Sequence, residues 1–234
     1  MEAVSHLAYP GAGKGTQANL LAWLHGFIHF DTGKELEMML LNGPKTSDPI
    51  LEREREIFKS GKLNTPEWVL GFVRDKMKQI AQVGMSITFS GSPRTWFEAF
   101  GDEKNEGLVE ALEKAYGKNH VHFVVIKVKP ETAIARNLGR KICAVCKTPV
   151  MGNMGGVELK TCPMCGGELK KRVLDTEETM RKRVVEFEAR TFPIIEEIRK
   201  RGYHVVEIDG EPMPYQVHAE IIKILGYNET HVSK

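Results

Sequence analysis

Residues 8–16, Ala8-Tyr9-Pro10-Gly11-Ala12-Gly13-Lys14-Gly15-Thr16, gather three glycines, a lysine and a hydroxyl in one short stretch. Glycine admits backbone conformations that turn consecutive N–H groups inward, onto the oxygens of a phosphate. A strand-like apolar run at residues 4–7 precedes the stretch, and a helical pattern through residues 17–23 follows it. Strand, glycine loop and helix N-terminus make a polyphosphate cradle, in which Lys14 brings a full charge to the outer phosphates and Thr16 faces the metal-bound ones. The alternative is a glycine turn that only caps a helix and leaves the lysine in solvent. It requires strand, loop, lysine and hydroxyl to coincide by chance. Ala8 stands where such loops usually begin with glycine, which tightens the entrance and leaves the phosphate-facing N–H groups in place.

A second cluster is made of cysteine. All four cysteines fit the spacing Cys143-x2-Cys146-x15-Cys162-x2-Cys165. Two such knuckles surround one tetrahedral zinc ion, and with every position filled by protein the site is structural. Glycines 152, 155, 156, 166 and 167 permit tight turns, and too few apolar residues separate the pairs to hold the segment without metal. Two disulfides are an alternative, disfavoured by the short spacing within each pair and by a reducing compartment. A zinc ribbon that binds nucleic acid or protein is another, because Lys141, Lys147, Lys160, Lys170 and Lys171 make the segment basic. A lid closing over polyphosphate needs the same charges.

These clusters require a scaffold. The chain has 234 residues, 41% of them hydrophobic, enough to bury a full core and suited to one domain with insertions. Its 33 basic and 31 acidic residues leave a net charge of +2, which favours neither nucleic acid nor a membrane surface as partner. No run approaches the roughly 20 apolar residues of a membrane span, and the first residues lack a leader pattern. A cytoplasmic protein is expected.

Strand-length apolar runs occur at residues 4–7, 27–30, 85–89, 121–128 and 204–208, with helical patterns between them. This alternation predicts an α/β fold, because parallel strands need crossover connections. Residues 33–66 and 136–175 break the alternation and read as insertions beside the sheet. Residues 176–201 read as one long helix, capped by Asp175 or Thr176, with Glu177 and Glu178 favouring its dipole. The eight histidines show no ligand spacing. His120 and His122 alternate along a strand, one half-buried and one at its edge. Residues 38–41 and Trp23, Trp68 and Trp96 read as packing.

The stretch from Gly11 to Ala18 resembles the phosphate loop of the adenylate kinase family, in which a glycine separates lysine from threonine. Asp31-Thr32-Gly33 resembles the start of that family's monophosphate-binding helix, and Gly91-Ser92-Pro93-Arg94-Thr95 its Gly-Phe-Pro-Arg segment. Arg136, Arg140, Arg172 and Arg183 fall where the lid and hinge arginines belong, and Ile208-Asp209-Gly210 closes the match. The resemblance covers essentially the whole chain. It implies a P-loop, doubly wound, parallel five-stranded sheet with a helical insertion for the monophosphate and a zinc-binding lid. The implied boundaries are 1–32, 67–135 and 176–234 for the core, 33–66 for the monophosphate insertion and 136–175 for the lid. The implied activity is magnesium-dependent transfer of the terminal phosphoryl of ATP to a nucleoside monophosphate, AMP first, by a monomer.

Residue roles follow from the same resemblance. Lys14, Arg94, Arg140, Arg172 and Arg183 would be catalytic, since phosphoryl transfer depends on positioned cations rather than a protein nucleophile. Gly11, Ala12, Gly13, Lys14, Gly15, Thr16, Arg136 and Arg140 would bind ATP, with Arg136 stacked over the donor base. Thr32, Lys34, Lys62, Leu63, Asn64, Gly91, Arg94, Glu98, Arg172 and Arg183 would bind the monophosphate. Each arginine taken alone reads as a solvated surface charge. Adjacent Arg181, Lys182 and Arg183 cannot all face the cleft.

Several positions depart from the family pattern. Lys34 and Glu37 replace the aspartate and arginine of the monophosphate helix, Ser90 replaces the aspartate before the Gly-Phe-Pro-Arg segment, and Glu98 replaces the adenine-reading glutamine. Leu174 replaces a hinge aspartate beside Asp175. Ser90 removes a carboxylate that would order magnesium, and Asp31 is either its substitute or a helix cap. Relaxed discrimination against GMP, or a weakened nucleotide-binding module signalling through its zinc lid, are the competing readings.

Overall fold

The computed structural model describes residues 1–43, 47–60, 64–151, 153–154, 157–171 and 176–227. Strand β1 (Ala3–Leu7) leads through the glycine loop into α1 (Lys14–His25) and β2 (Ile28–Phe30). Helices α2 (Thr32–Leu41), α3 (Pro49–Lys59) and α4 (Pro66–Gln82) precede β3 (Ile87–Phe89); α5 (Trp96–Phe100) and α6 (Leu108–Tyr116) precede β4 (Val121–Lys127). After α7 (Pro130–Leu138) come the short strands β5 (Arg140–Cys143), β6 (Pro149–Met151), β7 (Asn153–Met154), β8 (Val157–Glu158) and β9 (Leu169–Lys171). The chain returns through α8 (Glu177–Glu186), a π-helical turn at Phe187–Thr191, α9 (Phe192–Lys200), β10 (His204–Asp209) and α10 (Pro214–Ile224).

The main sheet runs β10-β4-β1-β3-β2 with every neighbour parallel, as alternation of strand and helix predicts. Both faces are covered, so the central strands β1, β3 and β4 are buried along nearly their whole length, while the edge strands β2 and β10 are partly exposed. Val121, Phe123 and Val125 of β4 join one core with α4, α6 and α9, whereas Val124 and Ile126 join another with Leu21, Val217 and Ile221 of α1 and α10. The described residues between 140 and 171 form separate antiparallel ribbons, β6-β5-β9 and β7-β8.

Three expectations change in detail. The segment 176–201 is not one α-helix: Thr176 caps it by accepting the Thr179 N–H at 3.2 Å, but a π turn interrupts it at Phe187–Thr191. Pro193 lies just beyond, with no N–H to offer and a ring that would crowd the carbonyl four residues back, so the wider turn accommodates it. Asp175, the other candidate cap, lies outside the described residues. Trp23 does not pack; it is 69% exposed. The run 38–41 splits by helical phase, with Leu40 buried and Met38 and Leu41 exposed.

The helical insertion is locked by a buried charge. Glu54 on α3 is fully buried; its carboxylate accepts from Thr65 N at 3.0 Å, Asn64 Nδ2 at 2.9 Å and Arg53 Nη2 at 2.8 Å. Burial would push its pKa up, but these donors and the Thr65 hydroxyl hold it down to about 2. Arg55 reaches back to the Leu40 carbonyl at 2.6 Å, tying α3 to the end of α2. Glu54→Ala is expected to lower the melting temperature, since Asn64 and Thr65 would lose a buried acceptor. The stabilisation is full above the ordinary glutamate pKa and is lost as pH falls from 4.5 toward 2. Denaturation series across that window should show wild type losing stability more steeply than Glu54→Gln.

Candidate active site

β1 ends and α1 begins on either side of a loop that needs its glycines. Gly11 and Gly13 have φ of 95° and 101°, and a Cβ on Gly11 would lie 2.2 Å from the Ala133 carbonyl oxygen. Gly13 offers no side chain to cap α1, which leaves the N–H groups of the first helical turn without a side-chain acceptor at the loop. Ala12 is buried, and its N–H reaches the Tyr9 carbonyl at 3.2 Å. Thr16 is exposed one turn on. Lys14 folds over the loop, donating to the carbonyls of Ala8 and Tyr9 at 2.7 and 2.9 Å.

Lys14 is also where separate segments converge. Burial lowers its pKa to about 7, and repulsion from Arg94 and Arg140 adds to the effect against a weaker pull from Asp31. Arg94 comes from the β3–α5 loop and Arg140 from the first residue of β5, so three distant stretches bring like charges to one place. Such a grouping is stabilised by a multiply charged anion.

The Gly91–Thr95 segment is built on hidden hydroxyls. Ser92 is buried, its carbonyl accepting from Ser5 Oγ at 2.6 Å and its hydroxyl meeting Thr32 Oγ1 at 2.7 Å. A Cβ on Gly91 would stand 2.9 Å from Arg94 Nη2, so glycine lets that guanidinium fold close. Glu98 accepts the Arg94 N–H at 2.6 Å, and its burial pushes the carboxyl pKa up against those bonds. Asn64 is spent on Glu54, while Lys34 is exposed on the first turn of α2 with Glu37 one turn further. Lys62, Leu63 and Arg172 lie outside the described residues.

Asp31 caps α2, accepting from Gly33 N and Lys34 N at 3.1 and 3.3 Å. At the neighbouring strand ends, Ser90 Oγ meets His29 Nε2 at 2.8 Å, and His29 Nδ1 meets Asn19 Oδ1 at 2.7 Å. Arg136 ends α7 with its guanidinium on the Gly210 and Glu211 carbonyls, at 2.8 and 3.0 Å. On α8, Arg181 and Lys182 pair with Glu177 and Glu178, whereas Arg183 is half-buried between Met180 and Val184.

Sequence reasoning gave no sign of the π turn's part in this arrangement. Tyr9 of the phosphate loop donates to Glu188 at 2.7 Å and packs on Phe187, and Thr191 donates to the Arg94 carbonyl at 3.2 Å. Burial and Glu188 raise the Tyr9 pKa to about 12, so the phenol keeps its proton as donor. The turn thus joins the loop holding Lys14 to the loop holding Arg94.

The four cysteine sulfurs all lie within 4.8 Å of one another. Sγ separations of 3.4 Å (Cys143 to Cys165) and 3.7 Å (Cys146 to Cys162) exclude disulfides and match the roughly 3.8 Å edge of a tetrahedron with 2.3 Å metal–sulfur bonds. The two knuckles repeat one geometry. Lys147 N bonds Cys143 O and Gly166 N bonds Cys162 O, with Lys147 and Gly166 both left-handed at φ of 57° and 73°. The donor set therefore fits a soft or borderline metal.

With this geometry in place, the family model for adenylate kinase matches residues 7–203. The chain belongs to the adenylate kinase family. The adenylate kinase of Novosphingobium aromaticivorans is 33% identical over 221 residues, spanning 94% of this chain and 96% of that protein. Those of Bacillus licheniformis and Bacillus subtilis are 33% and 30% identical, again over 94% of this chain and 96% of each relative. Among the described residues no helix is long and apolar enough to cross a membrane.

The lowered pKa of Lys14 has a measurable consequence. At pH 8 a lysine with a pKa of about 7 is mostly neutral, and bound phosphate favours its charged form, so nucleotide binding takes up a proton. At pH 6 the lysine is already charged and uptake disappears. Calorimetry with a non-hydrolysable ATP analogue, in buffers of different ionisation enthalpy, should show near-stoichiometric uptake at pH 8 and little at pH 6. Buffer-independent enthalpies at pH 8 would refute it.

Proposed function

We propose that this chain transfers the terminal phosphoryl of ATP, with magnesium, to AMP as its main acceptor. The observation that carries the reading is the meeting of Lys14, Arg94 and Arg140 at the glycine loop. In this reading Gly11, Ala12, Gly13, Gly15 and Thr16 hold the donor phosphates, Arg136 the donor base, and Arg140, Arg172 and Arg183 the migrating group. Thr32, Lys34, Lys62, Leu63, Asn64, Gly91, Arg94 and Glu98 form the acceptor side. The division into core (1–32, 67–135, 176–234), acceptor insertion (33–66) and lid (136–175) accords with the separate antiparallel ribbons of residues 140–171.

A second reading, a slower enzyme, draws on the strand ends. Ser90 carries no carboxylate and meets His29, and Asp31 spends Oδ1 on capping α2, so Asp31 Oδ2 is the carboxylate oxygen left at these strand ends to order magnesium water. An assay coupling ATP and magnesium to each monophosphate separates the two. Lys14→Ala and Arg94→Ala are each expected to cut turnover a hundredfold to a thousandfold, about 3 to 4 kcal/mol, while the fold persists by circular dichroism. Wild-type-like turnover in either variant would sink the assignment.

Glu98 governs base choice in this proposal. Its carboxylate already accepts from the Arg94 amide at 2.6 Å and is bonded by Ser92, so a base would meet its remaining lone pairs. A carboxylate oxygen accepts from guanine's N–H groups as well as from the adenine amine, so GMP is discriminated against weakly. Glu98→Gln should raise the ratio of kcat/KM for AMP over GMP, and an unchanged ratio would show that residue 98 does not read the base.

We further propose that zinc fills the cysteine cluster and stabilises the lid. Elemental analysis should find one zinc per chain. Cys162→Ser should lower the melting temperature while ATP binding survives, since the phosphate loop belongs to the main sheet.

A further inference from the structure

The histidines that carry no spacing in sequence meet at the far end of the sheet. His122 and His204 are register partners on β4 and β10, and their Nδ1 atoms lie 2.9 Å apart across 82 residues of chain. Both stand at the N-terminal ends of parallel strands, whereas the phosphate loop leaves the C-terminal end of β1. Glu2, the residue before β1, places Oε2 2.8 Å from His122 Nε2 and Oε1 2.8 Å from His120 Nδ1. Its own N–H is pinned to Ser86 Oγ at 2.9 Å and its carbonyl to Ile87 N at 2.9 Å. The pair borders an open recess of about 520 Å³, also lined by Lys118 and Tyr203. Lys118 is held there on the Arg201 carbonyl at 2.7 Å and over the Tyr203 ring.

We propose that His122 and His204 bind a borderline divalent transition metal at this pole, with Glu2 as the outer carboxylate. The Glu2 carboxylate accepts the His122 Nε2 proton, which fixes the tautomer and leaves the Nδ1 lone pair facing His204; metal-bound histidines are oriented by carboxylates in this way. His204 is exposed, so its proton moves to the solvent-facing Nε2 and frees Nδ1 as the second donor. Two imidazole nitrogens on one tetrahedral ion stand roughly 3.3 Å apart for bonds of about 2.0 to 2.1 Å, so the pair must open by a few tenths of an ångström and each ring must turn to aim its Nδ1 lone pair at the ion rather than at the other nitrogen. Water fills the remaining positions. Imidazole donors select zinc, copper or nickel over magnesium or calcium. His122 is buried on a strand and Glu2 is held at both backbone groups, so little side-chain freedom is lost on binding.

The test uses the full chain with its cysteine cluster already loaded with zinc, titrated calorimetrically with nickel ion. Wild type should bind one further equivalent. His204→Gln and His122→Gln should each weaken binding at least tenfold, and Glu2→Gln about tenfold through loss of the outer carboxylate. Proton NMR should show the His122 and His204 ring signals broadening first, and His204→Gln should keep wild-type phosphotransfer. Absence of saturable nickel binding, or equal binding by His204→Gln, would overturn the proposal. His204 is exposed, so that variant carries the test even if His122→Gln fails to fold.

Discussion

Lys14, Arg94 and Arg140 stand close enough to repel across the phosphate loop, and much of the molecule is arranged to hold them together. Burial and this repulsion lower the lysine pKa far from its usual value. Lys14 is fixed by two backbone carbonyls, and the loop that carries Arg94 by Ser92, Thr32 and Thr191, all of them neutral partners. Partners of this kind position a charge without cancelling it. Electrostatic stabilisation of a transferring phosphoryl group depends on that preorganisation.

The segment that supplies Arg140 solves its own stability problem differently. Its described core is Cys143, Val150 and Cys162, with Leu159 and Leu169 against it, a cluster too small to hold a domain by burial. In the proposed metal site, ligation by the four cysteines concentrates the missing stabilisation at a few atoms. The segment can then sit outside the main hydrophobic cores, which close around the five parallel strands.

The parallel sheet was legible because its strands are short apolar-rich runs, buried along nearly their whole length in the central β1, β3 and β4, each separated from the next by a helix. The phosphate loop and cysteine knuckles were legible because their chemistry demands local spacing. Contacts between distant segments were not: Tyr9 with Glu188, Ser5 with Ser92 and His122 with His204 join residues whose separation in sequence carries no period. Glu98 shows a further limit, since its type announced a polar role while only the fold revealed its bond to the Arg94 amide.

The π turn explains why residues 176–201 look like a single helix yet are not one. At about 100° per residue, Met180, Val184, Ile194, Ile195 and Ile198 fall on one stripe of an ideal α-helix. The turn takes in an extra residue, which rotates the second half by about 100° against the first. Met180 and Val184 belong to α8, which packs on α7, while the three isoleucines enter the core beneath β4 and β10. One amphipathic stripe is thereby divided between two neighbours, and a continuous segment of chain serves as both a wall of the main core and a support for the helix that leads into Arg140.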